Sequence, residues 1–291
     1  MDRTHLPASI WLAAAWQITN TKAGVSATSL SRSLGISYAS SWHLLHKLRS
    51  AMSSAHHDRL SGEVEFDETY LGGHDEGSGS GGTQGHASNK TTVFVATERN
   101  ENGAIGRIRL ARGYDASALA ISRFIAKTVE PGSTLVTDDW KAYPWALQLL
   151  EEEGLRYENV STSMKGAPTR AHDILPGVHR VSSLLKRWLL GTHQGAVSDH
   201  QMDQYLAEFV FRFNRRSSAN RGLLFWRLVC ALTDAEPIRR SDVIARRDEV
   251  AEADRKLADK VDQMRLDRKR EREVKTSRAY RARKAAQQRA G

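Results

Sequence analysis

The sequence predicts an α/β fold: a mixed sheet flanked by helices, with an all-α region before it and a charged tail after it. Three observations support this prediction. Residues 63–71, 91–97 and 105–110 are rich in strand-forming residues and are bounded by turn signals. Between residues 115 and 190, segments with helical spacing of apolar residues alternate with two further short strands. Neither the first 52 residues nor the tail after residue 235 shows a strand pattern.

The N-terminal region, residues 1–58, is predicted to contain a helix-turn-helix. Ser26 can cap a short helix that ends at Leu34, Gly35 supplies the turn, and Ser37 can cap a second helix reaching about Met52. An ordinary helical pair with a solvated face is the alternative. The side chains expected to point outward and to be available to a DNA groove are Tyr38, Ser40, Ser41, His43, Lys47 and Arg49.

The central region, residues 59–234, is predicted to be a single domain. A Gly/Ser-rich loop over residues 71–90 follows the first strand, and Asn102-Gly103 form the hairpin turn between the next two. A helix over 115–129, capped by Asp115 or Ser117, comes next. It is followed by a strand over 134–137, a helix over 140–152, a strand over 156–160 and a long helix over 178–190. This order is that of the ribonuclease H topology, in which helices flank a mixed sheet.

Two aspartates of this region are candidates for a metal site. Asp67 lies in the middle of the first strand and Asp138 at the carboxyl end of the fourth, positions that converge in an open sheet. Hard divalent cations prefer oxygen ligands, and two such ions can serve both oxygens of a phosphodiester displacement. Spacing alone leaves Glu68 and Asp139 as rivals, and surface carboxylates without a catalytic role are the commoner interpretation.

The long helix carries two further candidates. His179 and Lys186 are seven residues apart and therefore lie on the same helical face. Both can point at one site. A half-exposed histidine and an ordinary surface lysine beside Arg187 are the alternative interpretation.

Charge and cysteine content narrow the classes of partner. The single Cys230 permits neither an internal disulfide nor a thiolate zinc cage. The net charge of +9 divides into +4 over residues 1–60, −2 over 61–234 and +7 over the tail, 235–291, which indicates a polyanionic partner. Residues 264–291 alone carry 11 basic and three acidic side chains, which suits phosphate binding or simply solubility. No apolar stretch is long enough for a membrane span, so we expect no membrane partner and a cytoplasmic protein.

Several long strings in the right order carry a family resemblance. VEFDETYLGG, PGSTLVTDDWKAY, LPGVHRVSSLLKRWLLGTHQG, YLAEFVFRFNRR and RGLLFW resemble the ISXO-type group of bacterial insertion-sequence transposases in the DDE superfamily. The resemblance extends from about Trp11 to Leu232. The tail from residue 235 lies beyond it. A four-cysteine zinc ribbon, which members of this group often carry before the helix-turn-helix, has no counterpart here, which points to a ribbonless member or a truncated reading frame.

The resemblance implies a set of site residues. Asp67 and Asp138 correspond to the first and second metal ligands, whereas Asp139 occupies a variable position. The third position, which varies among Asn, Glu and His in this group, corresponds to His179, and Lys186 follows it as the cation near the phosphate. The cofactor implied is two ions of Mg²⁺ or Mn²⁺, and imidazole in place of a carboxylate favours the softer Mn²⁺. Arg215 and Arg216 are expected to contact the DNA backbone.

The activity implied is metal-dependent strand cleavage at the ends of an insertion sequence and strand transfer into target DNA. The expected partners are duplex DNA, as terminal inverted repeats and as target, and further copies of the chain in a homo-oligomer. Two alternatives are a catalytically inactive or truncated transposase-derived DNA-binding protein and a plain nuclease that never joins strands.

Overall fold

A computed structural model describes residues 4–54, 58–72, 90–161, 175–195, 197–236 and 238–290. Most of the predicted Gly/Ser-rich loop, residues 73–89, lies outside the described residues. The chain forms two compact units, Met1–Asp248 and Glu249–Gly291. None of the described helices has the length and apolar character that crossing a membrane requires.

The described N-terminal residues form three helices, and the two of the predicted helix-turn-helix begin directly after Ser26 and Ser37, as predicted. The three helices are α1 (Ala8–Asn20), α2 (Ala27–Leu34) and α3 (Tyr38–Ser54). The Ser26 hydroxyl accepts the backbone N–H of Ser29 at 3.1 Å, and Ser37 caps α3 in the same way through the N–H of Ser40. Gly35 ends α2 with φ of 63°, a left-handed conformation that glycine adopts without steric cost. The two serine caps and the glycine therefore determine the bounds of this helical pair.

The sheet has five strands in the described residues. They are β1 (Glu63–Leu71), β2 (Thr91–Arg99), β3 (Ile105–Gly113), β4 (Thr134–Thr137) and β5 (Glu158–Ser161). The spatial order is β3-β2-β1-β4-β5. The first three strands are antiparallel, whereas β4 pairs in parallel with β1 and β5 in parallel with β4. This arrangement confirms the mixed sheet and the ribonuclease H topology predicted from the order of elements.

The remaining described helices all follow β3 in the sequence. They are α4 (Ala118–Thr128), α5 (Ala142–Glu152), α6 (Pro176–His193), α7 (Met202–Phe213), α8 (Arg221–Asp234) and α9 (Arg240–Ala290), with a 3₁₀ turn at Asp199–Gln201. Ser117, one of the two predicted caps, accepts the N–H of Ala120 and starts α4. The charged tail, predicted to be helical or disordered, is helical as α9 over its described length.

Each face of the sheet has its own apolar layer. On one face, Phe66 and Phe94 contact Phe124 of α4, and Phe66 also contacts Tyr143 of α5. On the other face, Leu71, Val93, Val95 and Val136 form a buried cluster with apolar residues of α6 and α7. Because successive strand residues point to opposite faces, odd-numbered residues of β1 face α6 and even-numbered ones face α4 and α5.

The N-terminal helices share a hydrophobic core with later helices. Trp11, Ile18, Leu44 and Leu48 are buried in one cluster with Phe211 of α7 and with Leu228 and Leu232 of α8. Part of α3 is therefore covered by protein that lies more than 150 residues later in the chain. The functional division of the chain at residues 58 and 234 remains a prediction.

The prediction that Ser41 and Arg49 point outward is wrong. Ser41 is fully buried and its hydroxyl donates to the carbonyl of Ser37. Arg49 is only 1% exposed, because its Nε donates to Glu208 of α7 at 2.8 Å and its guanidinium stacks on the ring of Tyr205. Neither side chain is available to a DNA groove in this structure.

The buried Arg49–Glu208 pair provides the first prediction. Replacing Arg49 with Met leaves the carboxylate of Glu208 buried without its main partner, so the free energy of unfolding should fall by about 3 kcal/mol. Adding Glu208→Gln to Arg49→Met should recover only part of this loss, since it removes the buried negative charge but also weakens the 3.4 Å contact of Glu208 with Arg212. Urea unfolding of both variants measures the difference, and a cost below about 1 kcal/mol for the single change would count against the pair as a tether of α3 to α7.

Candidate active site

The parallel pairing of β1 with β4 brings the two predicted aspartates together. Glu63 pairs with Thr134, Val64 with Leu135 and Glu65 with Val136. The same register, continued by two residues, places Asp67 opposite Asp138, which directly follows the end of β4. Neighbouring strands lie about 4.8 Å apart, so both carboxylates are within reach of one small cluster of cations.

Asp67 lies on the face of the sheet that α6 covers. Asp67 has the same parity on β1 as Leu71, which belongs to the cluster with α6. Asp138 is two residues beyond Val136, a member of the same cluster. Asp138 is exposed and accepts the N–H of Trp140 at 3.0 Å, whereas Asp67 is half-buried. The pair thus lies at the solvent boundary of the sheet, where a substrate can approach.

Burial raises the pKa of Asp67 to about 6. A hydrogen bond from the backbone N–H of Glu68 opposes this rise, and the negative charge of Asp138 adds to it. No basic side chain of the described residues is among the groups that shift this pKa. Within the described residues, the carboxyl of Asp67 therefore has a neighbouring negative charge and no basic group that lowers its pKa, an electrostatic condition that favours a bound metal ion.

Glu68, a rival candidate, lies on the opposite face of β1. Its Oε2 accepts a hydrogen bond from the Tyr143 hydroxyl at 3.1 Å. Burial, followed by the charge of Asp67, raises the pKa of Glu68 to about 7, and burial also raises the pKa of Tyr143. Strand alternation directs Glu68 toward α5 and away from the face of Asp67, and the charge of Asp138 also raises the pKa of Glu68.

Asp139, the other rival, is held by β5. Its Oδ1 accepts the Ser161 hydroxyl at 2.7 Å, and the same hydroxyl lies 3.3 Å from the backbone carbonyl oxygen of Asp138. These contacts connect the segment after β4 to the end of β5. Because asparagine keeps an oxygen that can accept the Ser161 hydroxyl while the charge is removed, Asp139→Asn is a matched control for experiments on Asp138.

His179 and Lys186 lie on α6, two turns apart. His179 is half-buried in the first turn of the helix and Lys186 is exposed. Within the described part of the chain, no group of three His, Cys, Asp or Glu side chains is close enough to hold a metal ion. The structure thus brings Asp67 and Asp138 together, while the third position, His179, remains a prediction.

Sequence reasoning missed Glu65, a buried carboxylate on the same face as Asp67. Its Oε1 accepts from Nε of Arg99 at 2.6 Å, and its Oε2 accepts the backbone N–H of Val178 at 2.9 Å. The available signal was the alternation of Glu63, Glu65 and Asp67 at every second position of one strand, which places three acids on one face.

The family assignment follows from a comparison with known protein families. Residues 59–214 match the ISXO2-like transposase domain. The chain belongs to the ISXO2-like transposase family. The matched segment is more than half of the chain and includes Asp67, Asp138, His179 and Lys186, so the resemblance identified in the sequence is confirmed. No curated protein matches the chain.

Solved structures similar to this transposase-family chain include retroviral integrases and a transposase. The catalytic core domain of BIV integrase is 17% identical, with a TM-score of 0.33 over 55% of this chain and 88% of that one. A simian T-cell lymphotropic virus intasome bound to PP2A regulatory subunit B56 gamma is 12% identical, with a TM-score of 0.35 over 78% and 74%. Mos1 transposase in a paired-end complex is 13% identical, with a TM-score of 0.25 over 80% and 82%. Likeness at this level bears on neither substrate nor mechanism.

The predicted DNA contacts outside the sheet differ in accessibility. Tyr38 is exposed, whereas Ser40, His43 and Lys47 of the transposase-family chain are half-buried. Arg215 stacks on Phe211 and donates to its carbonyl, and Arg216 stacks on Phe213 and donates to backbone carbonyls of β3. Both guanidinium groups thus have partners within the chain, and their contact with DNA remains a prediction.

The raised pKa of Asp67 predicts how stability depends on pH. The folded-state pKa of about 6 lies above the ordinary 3.8, so its contribution to stability is complete below pH 3.8 and is lost as pH rises through 6. In metal-free protein at pH 8, Asp67→Asn should therefore raise the free energy of unfolding by about 1 to 2 kcal/mol, allowing for solvent screening of a half-buried group.

Urea unfolding in a chelator at pH 8 and pH 5 measures this difference, which should shrink at the lower pH. Asp259→Asn, at an exposed position of α9, is the control and should change stability at neither pH. Equal stabilisation at both values, or none at pH 8, would contradict the electrostatic description of Asp67.

Proposed function

We propose that this chain is an active transposase, which cuts a DNA strand at the ends of an insertion sequence and joins the 3′ hydroxyl to target DNA. The observation that carries the proposal is the parallel register of β1 and β4 inside a transposase-family domain, which, if continued by two residues beyond the Glu65–Val136 pair, puts Asp67 opposite Asp138. A protein that only bound DNA would have no need of two neighbouring carboxylates, one of them with a raised pKa that no basic side chain of the described residues lowers.

The donor set fits two divalent metal ions, Mg²⁺ or Mn²⁺. Asp67 and Asp138 offer carboxylate oxygens, which hard cations prefer, and His179 on the helix that covers this face offers an imidazole nitrogen. When bound, such ions activate the attacking hydroxyl and stabilise charge on the leaving oxygen. The substitution of imidazole for a third carboxylate favours Mn²⁺ relative to a site with three acids.

The chain's own residues position the substrate and offset its negative charge. Asp67, half-buried in β1, and Asp138, exposed after β4, hold the cations from two adjacent strands. Lys186 is exposed and lies about 10 Å along α6 from His179, on the same helical face. We assign to its ammonium a contact with the phosphate beside the one that is cut.

The polyanionic partner is duplex DNA. In the basic half of α9, Lys269, Arg272 and Lys275 are exposed and form no salt bridge with another described residue, whereas Arg270 is paired with Asp267. These three cations are available for phosphate contacts that carry no base specificity. Cleavage at two ends of one element requires two active sites, so we propose that the chain acts as a homo-oligomer on DNA.

The test is a strand-cleavage and strand-joining assay. The substrate is duplex DNA carrying the genomic sequences that flank the gene, incubated with Mg²⁺ or Mn²⁺. Asp67→Asn and Asp138→Asn should each lower cleavage by a factor on the order of 10² to 10³, because a metal ligand is lost, while gel-shift binding stays unchanged. Asp139→Asn, which changes the adjacent carboxylate, should retain most of the parental activity.

Other products would identify other functions. Cut DNA without joined product indicates a plain nuclease, and binding without any metal-dependent cleavage indicates a DNA-binding protein with an inactive core. Cleavage by Asp67→Asn at the parental rate would contradict the assignment of this site.

A further inference from the structure

Glu65 connects the first turn of α6 to β1. Its side chain is 1% exposed, and each of its oxygens has its own donor. The Val178 N–H reaches Oε2 at 2.9 Å, and Arg99 Nε reaches Oε1 at 2.6 Å. Arg99 also donates to Glu63 at 2.6 Å. A buried carboxylate is stable only with such partners, and here one of them belongs to a helix more than 100 residues away along the chain.

The helix needs this partner as much as the carboxylate does. The first backbone N–H groups of any helix have no acceptor within it, and a side chain at the N-cap usually supplies one. At the start of α6 the N-cap residue is Leu175, which provides no side-chain hydrogen bond, and Pro176 has no N–H to donate. Glu65 supplies the missing acceptor from the sheet, and its negative charge suits the helix N-terminus.

Gly177 allows the close approach of helix and strand. A Cβ atom at this position would lie 2.9 Å from Glu65 Oε2 and 2.9 Å from Thr97 Oγ1, closer than such atoms approach in real proteins. A side chain at this position would therefore force the carboxylate of Glu65, the hydroxyl of Thr97 or the first turn of α6 to shift. The sequence Pro176-Gly177-Val178 thus matches a carboxylate cap that comes from outside the helix.

The position of this contact gives it a functional consequence. Glu65 precedes Asp67 by two residues on the same face of β1, and Val178 directly precedes His179. A hydrogen bond between Glu65 and Val178 therefore fixes the distance between the strand that carries one site residue and the helix that carries another.

We propose that Glu65 is a positioning residue, which holds His179 at a fixed distance from Asp67 by capping α6. This inference rests on the proposed function, in which both residues serve one metal site. Glu65 touches neither substrate nor metal in this account and acts through the backbone of α6.

Two variants and a matched control test the cap directly. Glu65→Gln keeps the shape but presents an N–H₂ group to either Val178 or Arg99, and Gly177→Ala disrupts the contact from the helix side. Glu63→Gln is the control. Glu63 lies on the same strand as Glu65 and also accepts a hydrogen bond from Arg99, but its side chain is exposed. Hydrogen exchange of the metal-free protein should be about tenfold faster at Val178–Val181 in the two variants and unchanged in the control.

Cleavage kinetics test whether the cap acts through His179. Glu65→Gln should lower metal-dependent cleavage about 10- to 100-fold in the parental chain, the range for residues that orient a ligand, and should raise the Mg²⁺ concentration for half-maximal rate. In the His179→Ala background the same change should have little further effect.

The outcomes separate the two proposals. Unchanged exchange in Glu65→Gln, or an equal loss of activity with and without His179, would overturn the positioning role. An inactive parental chain, or an active Asp67→Asn variant, would instead overturn the proposed function, and the exchange measurement would still decide whether Glu65 caps α6.

Discussion

The parallel pairing of β1 with β4 is the constraint on which the rest of the site depends. Its register sets Asp67 opposite Asp138, two residues that are 71 positions apart in the sequence. A slip of one residue would put Asp138 opposite a neighbour of Asp67 whose side chain points to the other face of the sheet. The apolar layers on both faces oppose such a slip, because it would turn buried residues of β4, such as Val136, to the opposite face of the sheet. The core thus fixes the geometry of the carboxylates.

Buried charges in this chain are of two kinds. Glu208 and Glu65 are each matched by an arginine and by defined hydrogen bonds, and both connect elements that are distant in sequence. Asp67, by contrast, has a neighbouring carboxylate and a raised pKa, and no basic side chain of the described residues offsets that rise. The ion pairs of Glu208 and Glu65 stabilise the fold. The unmatched acid reduces stability at neutral pH, which is the expected property of a site that awaits an external cation.

Local signals in the sequence were sufficient to predict the elements and, with the resemblance, the family. Serine caps, glycine turns and strand alternation act over a few residues, so Ser26, Gly35 and the strand of Asp67 were predictable. Contacts made across the chain were not. Arg49 has the pattern of an outward cation on α3, and only the distant Glu208 makes it a buried one. The role of Glu65 likewise depends on Val178, since alternation reveals its face but not its partner. Spacing alone left Asp139 as a rival candidate for the metal site. The hydrogen bond from Ser161 now gives its carboxylate a structural role.

The central claim is that Asp67 and Asp138 share bound cations, and iron-directed cleavage of the polypeptide tests it most directly. Fe²⁺ in place of Mg²⁺, with ascorbate and peroxide, generates radicals that cut the backbone next to the ion. If the two aspartates share bound cations, the polypeptide is cut both near residue 67 and near residue 138. Excess Mg²⁺ then suppresses both cuts, and Asp67→Asn abolishes both. Cuts near only one of the two aspartates, or cuts that persist in excess Mg²⁺, would contradict it.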